Sequence, residues 1–411
     1  MSADSFLNFN EEEDYSEQVE KCRLAFEKGE LMELNFSEEE FDYLLGFFAD
    51  EYNDELVLEL SHIAYMRHPY SSELVVRYSD ALIVNKEPEK AVHILEKQLD
   101  FDSSNSDVYF LLGRGQLKMG NHELAKDYIN YAISLSPEET DEMLSTAALD
   151  YIDIGEYNIA LDYLTELHRV SPDNISAYND MAFCLERTKR YEESIQFYEK
   201  YLDKEPFNDN VWFNVGTIYA TIEKYDKAIE AFDYSLALDP GNASVMYNKA
   251  IVYINTEQYD HAAEILKEFI ELEPDDIFAL LALADSSLKI GQTEESEKYV
   301  KMALNIENEN PEANACMAYI CMIKKDYTEA LVYLRKIMGD QSVNYLLLGD
   351  DLLISFEKTK LPEFLVYYVV SLYFIKDENK LADAFLTLLG YDEVWQEMLY
   401  KIVPALNISK Q

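Results

Sequence analysis

The stretch Asp209–Asn242, DNVWFNVGTIYATIEKYDKAIEAFDYSLALDPGN, shows most clearly the pattern that predicts the fold of this chain. Apolar residues recur in it three and four positions apart, which predicts two successive amphipathic helices. The small residues Gly216 and Ala228 lie near the middle of each predicted helix and allow the two backbones to approach closely. Pro240 marks the end of the second helix, because proline disfavours helical geometry in the residue before it. The stretch therefore predicts a helix–turn–helix pair.

The pattern of this pair recurs along the chain at intervals of 34 residues, with one interval of 35. Gly120, Gly155 and Gly291 are expected to end the first helix of their pairs. Because one pair alone cannot bury its apolar face, we expect an all-α stack of pairs. A small residue marks the second helix eight times, at Ala91, Ala125, Ala160, Ser194, Ala228, Ala262, Ser296 and Ala330.

Seven positions of the quoted stretch resemble the signature of the tetratricopeptide repeat (TPR) family. They are Trp212, Val215, Gly216, Tyr219, Ala228, Phe232 and Pro240. The resemblance implies a right-handed superhelical α-solenoid in which the first helix of each repeat lines a concave groove. It also implies that partner proteins bind in this groove as extended or helical peptides.

When the repeats are aligned on this signature, the chain divides into three parts. Residues 1–37 are an acidic N-terminal lead with one helix, and residues 345–411 are a degenerate helical C-terminal cap. Thr140 is a one-residue insertion between two repeats. The nine predicted repeats are 38–71, 72–105, 106–139, 141–174, 175–208, 209–242, 243–276, 277–310 and 311–344.

The two ends of the chain are predicted to be helical but outside the repeat period. A helix is expected over Tyr15–Lys28, with Ser16 as its N-cap and Gly29 as its stop. Three more are expected over Pro362–Ile375, Asn379–Leu389 and Asp392–Ile402. We interpret these three as a cap on the last repeat. The alternative is a separate binding surface rich in aromatic residues: Tyr367, Tyr368, Tyr373 and Trp395.

The net charge of the chain is −46, from 34 Lys and Arg against 80 Asp and Glu. Nucleic acids and anionic membranes are bound by clustered cations, so both are excluded as partners. The run Glu11–Asp14 predicts a disordered acidic tail, and the run Glu38–Glu40 suits a helix N-terminus. A protein partner of neutral or basic character is favoured. The alternative is that the charge serves only solubility.

Motifs that carry catalysis or bind cofactors are absent from the sequence. It has no HExxH, P-loop or GxSxG motif, and Gly113-Arg114-Gly115 lacks the third glycine of a dinucleotide-binding loop. We therefore expect a protein that is not an enzyme and needs no cofactor or metal.

The four cysteines, Cys22, Cys184, Cys316 and Cys321, form no CxxC pair and are expected to be buried, reduced thiols. The N-terminus lacks the basic and apolar regions of a secretory signal. The most apolar run, Phe364–Ile375, is shorter than a membrane-spanning helix, so it predicts a buried helix. These features favour a cytoplasmic location.

The predicted groove residues lie at three positions of the first helices in the central repeats. Asp180, Asn214 and Asn248 occupy the sixth position. A side-chain amide both donates and accepts hydrogen bonds, so an asparagine row can hold a peptide backbone without selecting its sequence. The alternative is that Asn is simply common at this position in the family. The remaining candidates are Asn179, Phe213 and Tyr247 at the fifth position, and Thr217 and Ile251 at the ninth.

The sequence does not fit one specific function found in the family, the binding of acidic chaperone tails. Members that bind the acidic C-terminal tails of chaperones resemble one another in a clamp that includes two lysines and an arginine. The corresponding positions here are Asn179, Phe183, Asn214, Ser244 and Asn248, none of which is a cation. An acidic chaperone tail is therefore not an expected partner.

The sequence predicts a non-catalytic adaptor or scaffold that binds a peptide segment of a partner in the concave groove. A regulatory or assembly subunit that docks on a catalytic partner through its C-terminal helices is the alternative. Self-association through those helices is a third possibility.

Overall fold

A computed structural model describes residues 15–406, so the predicted acidic tail at Glu11–Asp14 lies outside the described residues. Within the described range all regular structure is helical, which confirms the all-α prediction. The chain has two compact units that divide between Lys204 and Glu205. No helix in residues 15–406 has the length and apolar character needed to span a membrane.

The first unit contains a short 3-10 turn at Leu31–Glu33 and eleven α-helices within its described part. These are α1 (Ser16–Lys28), α2 (Glu38–Asp50), α3 (Asp54–Arg67), α4 (Ser72–Val84), α5 (Pro88–Gln98), α6 (Ser106–Lys118), α7 (His122–Leu135), α8 (Thr140–Asp153), α9 (Tyr157–Val170), α10 (Ile175–Arg187) and α11 (Tyr191–Leu202).

The second unit, as far as Leu406, contains twelve α-helices and a closing 3-10 turn at Pro404–Leu406. The helices are α12 (Asp209–Thr221), α13 (Tyr225–Leu238), α14 (Ala243–Asn255), α15 (Tyr259–Leu272), α16 (Ile277–Lys289), α17 (Thr293–Ile306), α18 (Pro311–Ile323), α19 (Tyr327–Ile337), α20 (Tyr345–Thr359), α21 (Pro362–Phe374), α22 (Glu378–Leu389) and α23 (Glu393–Ile402).

From α2 onward the helices pack in pairs. In the first unit α6 contacts its partner α7 and also α4 and α8, the first helices of the neighbouring pairs. In the second unit α12 contacts both α13 and α14. The first helices therefore lie side by side, and their exposed faces form one wall of each unit. The division into a lead, nine repeats and a cap stays a prediction.

Asparagine and aspartate side chains fix where the first helices begin. Asn208 accepts a hydrogen bond from the Val211 backbone N–H at 3.1 Å, and Asn242 accepts one from Val245 at 3.2 Å. These bonds satisfy N–H groups that have no partner inside the helix. The same cap recurs at other repeat starts: Asn105, Asn174, Asp276 and Asn310.

A left-handed residue ends the first helix of each pair from α2–α3 to α20–α21. Gly120, Gly155 and Gly291 have φ angles of +82°, +80° and +82°, as expected for residues that stop these helices. The equivalent residues in other pairs are not glycines, and Glu223 and Glu257 adopt φ of +60° and +59°. Such angles are strained for a residue with a Cβ atom.

Two predictions about the ends were wrong. The N-cap of α1 is Tyr15, and Ser16 is the first helical residue, although Gly29 ends the helix as predicted with φ +69°. Helix α20 was not predicted at all. Leu352 occupies the position where the first helices from α4 to α18 carry a small residue, which weakened the signal for a repeat.

The apolar run near the C-terminus forms the buried helix that its composition predicted. Helix α21 contacts α20, α22 and α23. Tyr367 and Tyr368 are only 1% and 4% exposed, and Tyr373 and Trp395 pack partly buried against the same core. Tyr367 and Tyr368 therefore belong to the core and cannot form part of an aromatic binding surface, whereas such a surface at Tyr373 and Trp395 stays an alternative.

Candidate functional site

The eight predicted groove residues all lie on first helices. Asn179 and Asp180 are on α10 in the first unit. The other six are on α12 and α14, which contact each other in the second unit. Each of the eight is partly buried, so each has some surface that a ligand can reach.

The polar members of this set are held by bonds within their own helices. Asn248 donates from Nδ2 to the Ser244 carbonyl oxygen at 2.8 Å, and Thr217 donates to the Phe213 carbonyl oxygen at 3.0 Å. The amide has two N–H groups, so the bond to Ser244 uses one of them. Burial raises the pKa of Asp180, and a hydrogen bond with Asn179 opposes this shift.

The aromatic members pack against second helices. The Phe213 ring lies 6.1 Å from the Phe232 ring, and the Tyr247 ring lies 5.7 Å from the Phe269 ring, both tilted. Such contacts between ring pairs add about 0.5–1.5 kcal/mol beyond the burial of their area. Phe213 and Tyr247 are therefore positioned parts of the wall.

A cleft of about 330 Å³ opens between α14, α16 and α18 of the second unit. We call it the second-unit cleft. Tyr247 lines it and is the member of the predicted set that does so. Five further residues that line it are Phe278, Leu281, Asp285, Glu312 and Cys316.

Sequence reasoning missed these five residues, although a signal was present. Leu281 stands at the fifth position of its repeat, Cys316 at the sixth and Asp285 at the ninth. The predicted groove residues of the preceding repeats occupy the same three positions. The predicted set ends at Ile251 on α14, whereas the wall continues through α16 and α18.

The cleft is lined by apolar, aromatic and acidic side chains and by one cysteine. Cys316 is partly exposed, contrary to the expectation that all four cysteines are buried, because the sixth position faces the cleft. Burial, with Glu312 and Asp285 nearby, raises the pKa of its thiol to about 12. A thiol with a pKa this high stays protonated at neutral pH, whereas the thiolate is the nucleophilic form. In residues 15–406 no group of His, Cys, Asp and Glu side chains could hold a metal ion.

The wall of the first unit differs from the second-unit cleft in that it carries arginines paired with aspartates. Arg114 on α6 donates from Nη1 to Asp80 on α4 and from Nε to Asp150 on α8, each at 2.6 Å. Arg77 pairs with Asp42 at 2.7 Å. A cleft of about 540 Å³ next to Arg114 is thus lined by arginines whose charges are already neutralised. This arrangement does not resemble a site for an acidic peptide.

Family models identify the repeats. Models described as tetratricopeptide repeat match residues 106–139 and 145–209. The model described as the TPR domain of cytochrome c-type biogenesis protein H matches residues 199–313. The chain belongs to the tetratricopeptide repeat family. The resemblance found in the sequence is thereby confirmed.

Known proteins similar to this TPR chain match parts of it. A BBSome complex member BBS4 homolog from Drosophila melanogaster is 24% identical over 151 residues, which are 37% of this chain and 31% of that protein. The match thus spans about a third of the relative.

Two solved structures show the extent of the structural likeness. The C-terminal part of a TPR repeat-containing protein from Cytophaga hutchinsonii has a TM-score of 0.51 at 16% identity, over 59% of this chain and 98% of that one. This supports the repeat fold. MamA from Desulfovibrio magneticus RS-1 has a TM-score of 0.38 at 21% identity, over 40% of this chain and 94% of that one.

Proposed function

We propose that this TPR protein is a non-catalytic adaptor or scaffold that holds a peptide segment of a partner protein against its first helices. The observation that carries the proposal is the position of Tyr247, which lines an open cleft built from three successive first helices. Aromatic side chains in partly desolvated pockets are frequent anchors of protein interfaces. The segment would lie along the wall that also carries Phe213, Asn214 and Asn248.

The negative charge of the chain favours a partner protein that is neutral or basic. At a net charge of −46, a strongly acidic partner would be repelled before it made contact. The paired state of Arg77 and Arg114 supports the same choice, since neither presents a free cation to a carboxylate tail. We place this function in the cytoplasm, where four unpaired cysteines remain reduced.

A selection experiment tests the proposal. A phage-displayed library of random dodecapeptides is selected on the full chain, and the recovered peptide is titrated by calorimetry against the wild type, Tyr247→Ala and the double variant Asn214→Ala with Asn248→Ala. We expect about tenfold weaker binding for Tyr247→Ala, since losing an aromatic anchor costs about 1–2 kcal/mol.

The matched control is Phe207→Ala. Phe207 is 84% exposed in the loop that precedes α12, and it does not line the second-unit cleft. Its loss should leave the affinity unchanged. Equal affinities for the wild type and Tyr247→Ala, or no recovered peptide with a Kd below about 100 µM, would refute the groove proposal.

A second candidate function is an assembly subunit that docks through its C-terminal helices. Leu386 on α22 and Val394 on α23 are 66% and 67% exposed, which leaves apolar surface beyond the buried α21. The Drosophila relative is, by its name, a member of a complex. Deleting residues 362–411 would remove the core helix α21. A better test is Leu386→Ser with Val394→Ser, which should abolish docking or self-association while the helical content stays unchanged.

A further inference from the structure

The second-unit cleft combines an exposed apolar wall with carboxylates. Phe278 is 71% exposed, which is unusual for a phenylalanine on a helix that packs on both sides. Leu281 and Cys316 form the floor beside it, and Tyr247 closes one side. An apolar surface of this kind remains in water only at an energetic cost, so a ligand that covers it gains affinity.

The charged side chains that line this cleft are Asp285 and Glu312. Among the described residues neither carboxylate forms a salt bridge with a lysine or arginine, whereas other carboxylates of this unit do, for example Glu363 with Arg335. Burial raises the pKa of Asp285, and Lys289, one turn along α16, opposes this shift without outweighing it. The described lining of the cleft therefore contains two carboxylates and no lysine or arginine.

The two carboxylates face the same space. Both act on the Cys316 thiol in the floor, and Glu312 also acts on the Tyr247 hydroxyl across the cleft. A cation in the cleft would have two carboxylates and two aromatic rings among the groups that line it. Arginine and lysine satisfy both kinds of contact, because they pair with carboxylates and stack on aromatic faces.

We propose that the second-unit cleft binds a segment of a partner protein in which an arginine or lysine stands beside an aliphatic or aromatic side chain. The cation lies between Asp285 and Glu312, and its apolar neighbour packs on Phe278. This proposal rests on the proposed function and adds the chemistry of the ligand to it. It inverts the charge pattern of the family's acidic-tail clamp, since the carboxylates here belong to the groove.

The test uses the same phage-displayed dodecapeptide library, selected in parallel on the wild type and on the double variant Asp285→Asn with Glu312→Gln. We expect wild-type selection to enrich a basic residue next to an apolar one, and the variant to lose this enrichment. A recovered peptide should bind the double variant about tenfold more weakly. Replacing its arginine by the neutral isostere citrulline should cause the same loss.

The matched control is Asp275→Asn, which removes an exposed carboxylate that does not line the cleft. It should leave the affinity unchanged, and unchanged far-UV circular dichroism would show that each variant is folded. Selected peptides without basic residues, or equal affinity for the wild type and the double variant, would overturn the proposal.

The outcomes separate this inference from the proposed function. If Tyr247→Ala weakens binding while Asp285→Asn with Glu312→Gln does not, the groove is used but its carboxylates do not select the ligand. If neither change has an effect, both proposals fail. Light scattering that shows a mass near twice 47.7 kDa, abolished by Phe278→Ala, would assign the cleft to a second copy of this chain and overturn the choice of a basic partner.

Discussion

Gly216 on α12 faces the ring of Phe232 on α13 so closely that a Cβ atom at Gly216 would stand 2.6 Å from two ring carbons. The equivalent residue in the first unit, Gly113, would place its Cβ atom 2.5 Å from Cγ1 of Ile129. The small residues that recur at this position therefore set the distance between the two helices of a pair. The 34-residue spacing of these small residues in the sequence reflects this contact.

Gly216→Ala is predicted to lower the stability of the second unit. The added methyl group must displace the Phe232 ring or separate the two helices, and overpacking of this kind costs about 1–3 kcal/mol. The measurement is the shift of the urea unfolding midpoint.

Gly46→Ala is the matched control, because Gly46 is also inside a helix but a Cβ atom there meets nothing within 4 Å. It should raise stability by about 0.5–1 kcal/mol, since alanine is the better helix former. Equal effects of the two substitutions would contradict the role assigned to Gly216.

Glu257→Gly is predicted to raise stability, although it removes a side chain. Glu257 ends its helix in the left-handed region, a conformation that costs a residue with a Cβ atom about 1–2 kcal/mol. Gly291 occupies the equivalent position in the next pair, and a Cβ atom there meets no atom within 4 Å. Gly291→Ala should therefore lower stability by backbone strain alone.

The two substitutions should move the thermal unfolding midpoint in opposite directions. A fall in the midpoint for Glu257→Gly would mean that its side chain contributes more than the strain it imposes. That result would contradict the prediction.

The contribution of Glu363 to stability should depend on pH. Burial favours the protonated form of this carboxyl, but hydrogen bonds from Arg335 at 2.8 and 2.9 Å and from the Tyr367 hydroxyl at 2.7 Å outweigh it. Together they hold its pKa below the ordinary value. The stabilisation is therefore complete above the pKa of an unfolded glutamate, about 4.3, and is lost as the pH falls through the lower folded value.

Glu363→Gln should cost about 1–2 kcal/mol at pH 7, the order of a charged hydrogen bond in a partly buried site. The difference from the wild type should shrink as the pH falls below about 4.3. Urea unfolding across this range measures it, with the exposed Glu393→Gln on α23 as the control. A difference that stays constant with pH would show that the ionised form is not the stabilising one.

The sequence predicted the parts of the fold that depend on local contacts. Gly216 and Ala228 contact residues of their own helix pair, so their spacing alone carried the signal. The burial of α21 followed from its twelve-residue apolar run. Helix α20 was missed because Leu352 stands where the first helices from α4 to α18 carry a small residue, although buried Tyr345, Leu348 and Leu352 keep the helical spacing.

The site was predicted less completely, because its properties depend on contacts between repeats. Arg114 looked like part of a glycine-rich stretch, and its partners Asp80 and Asp150 are 34 and 36 residues away. Phe278 and Asp285 have no unusual neighbours in the sequence. They acquire a role only where α14, α16 and α18 enclose a cleft.

The claim that a partner peptide is held by the first helices is tested most directly by a crystal structure of the chain with a library-selected dodecapeptide. We predict that the peptide lies over α14, α16 and α18, in contact with Tyr247, and places a cationic side chain between Asp285 and Glu312. A peptide bound instead on the second helices α15 and α17, or on α22 and α23, would contradict the account.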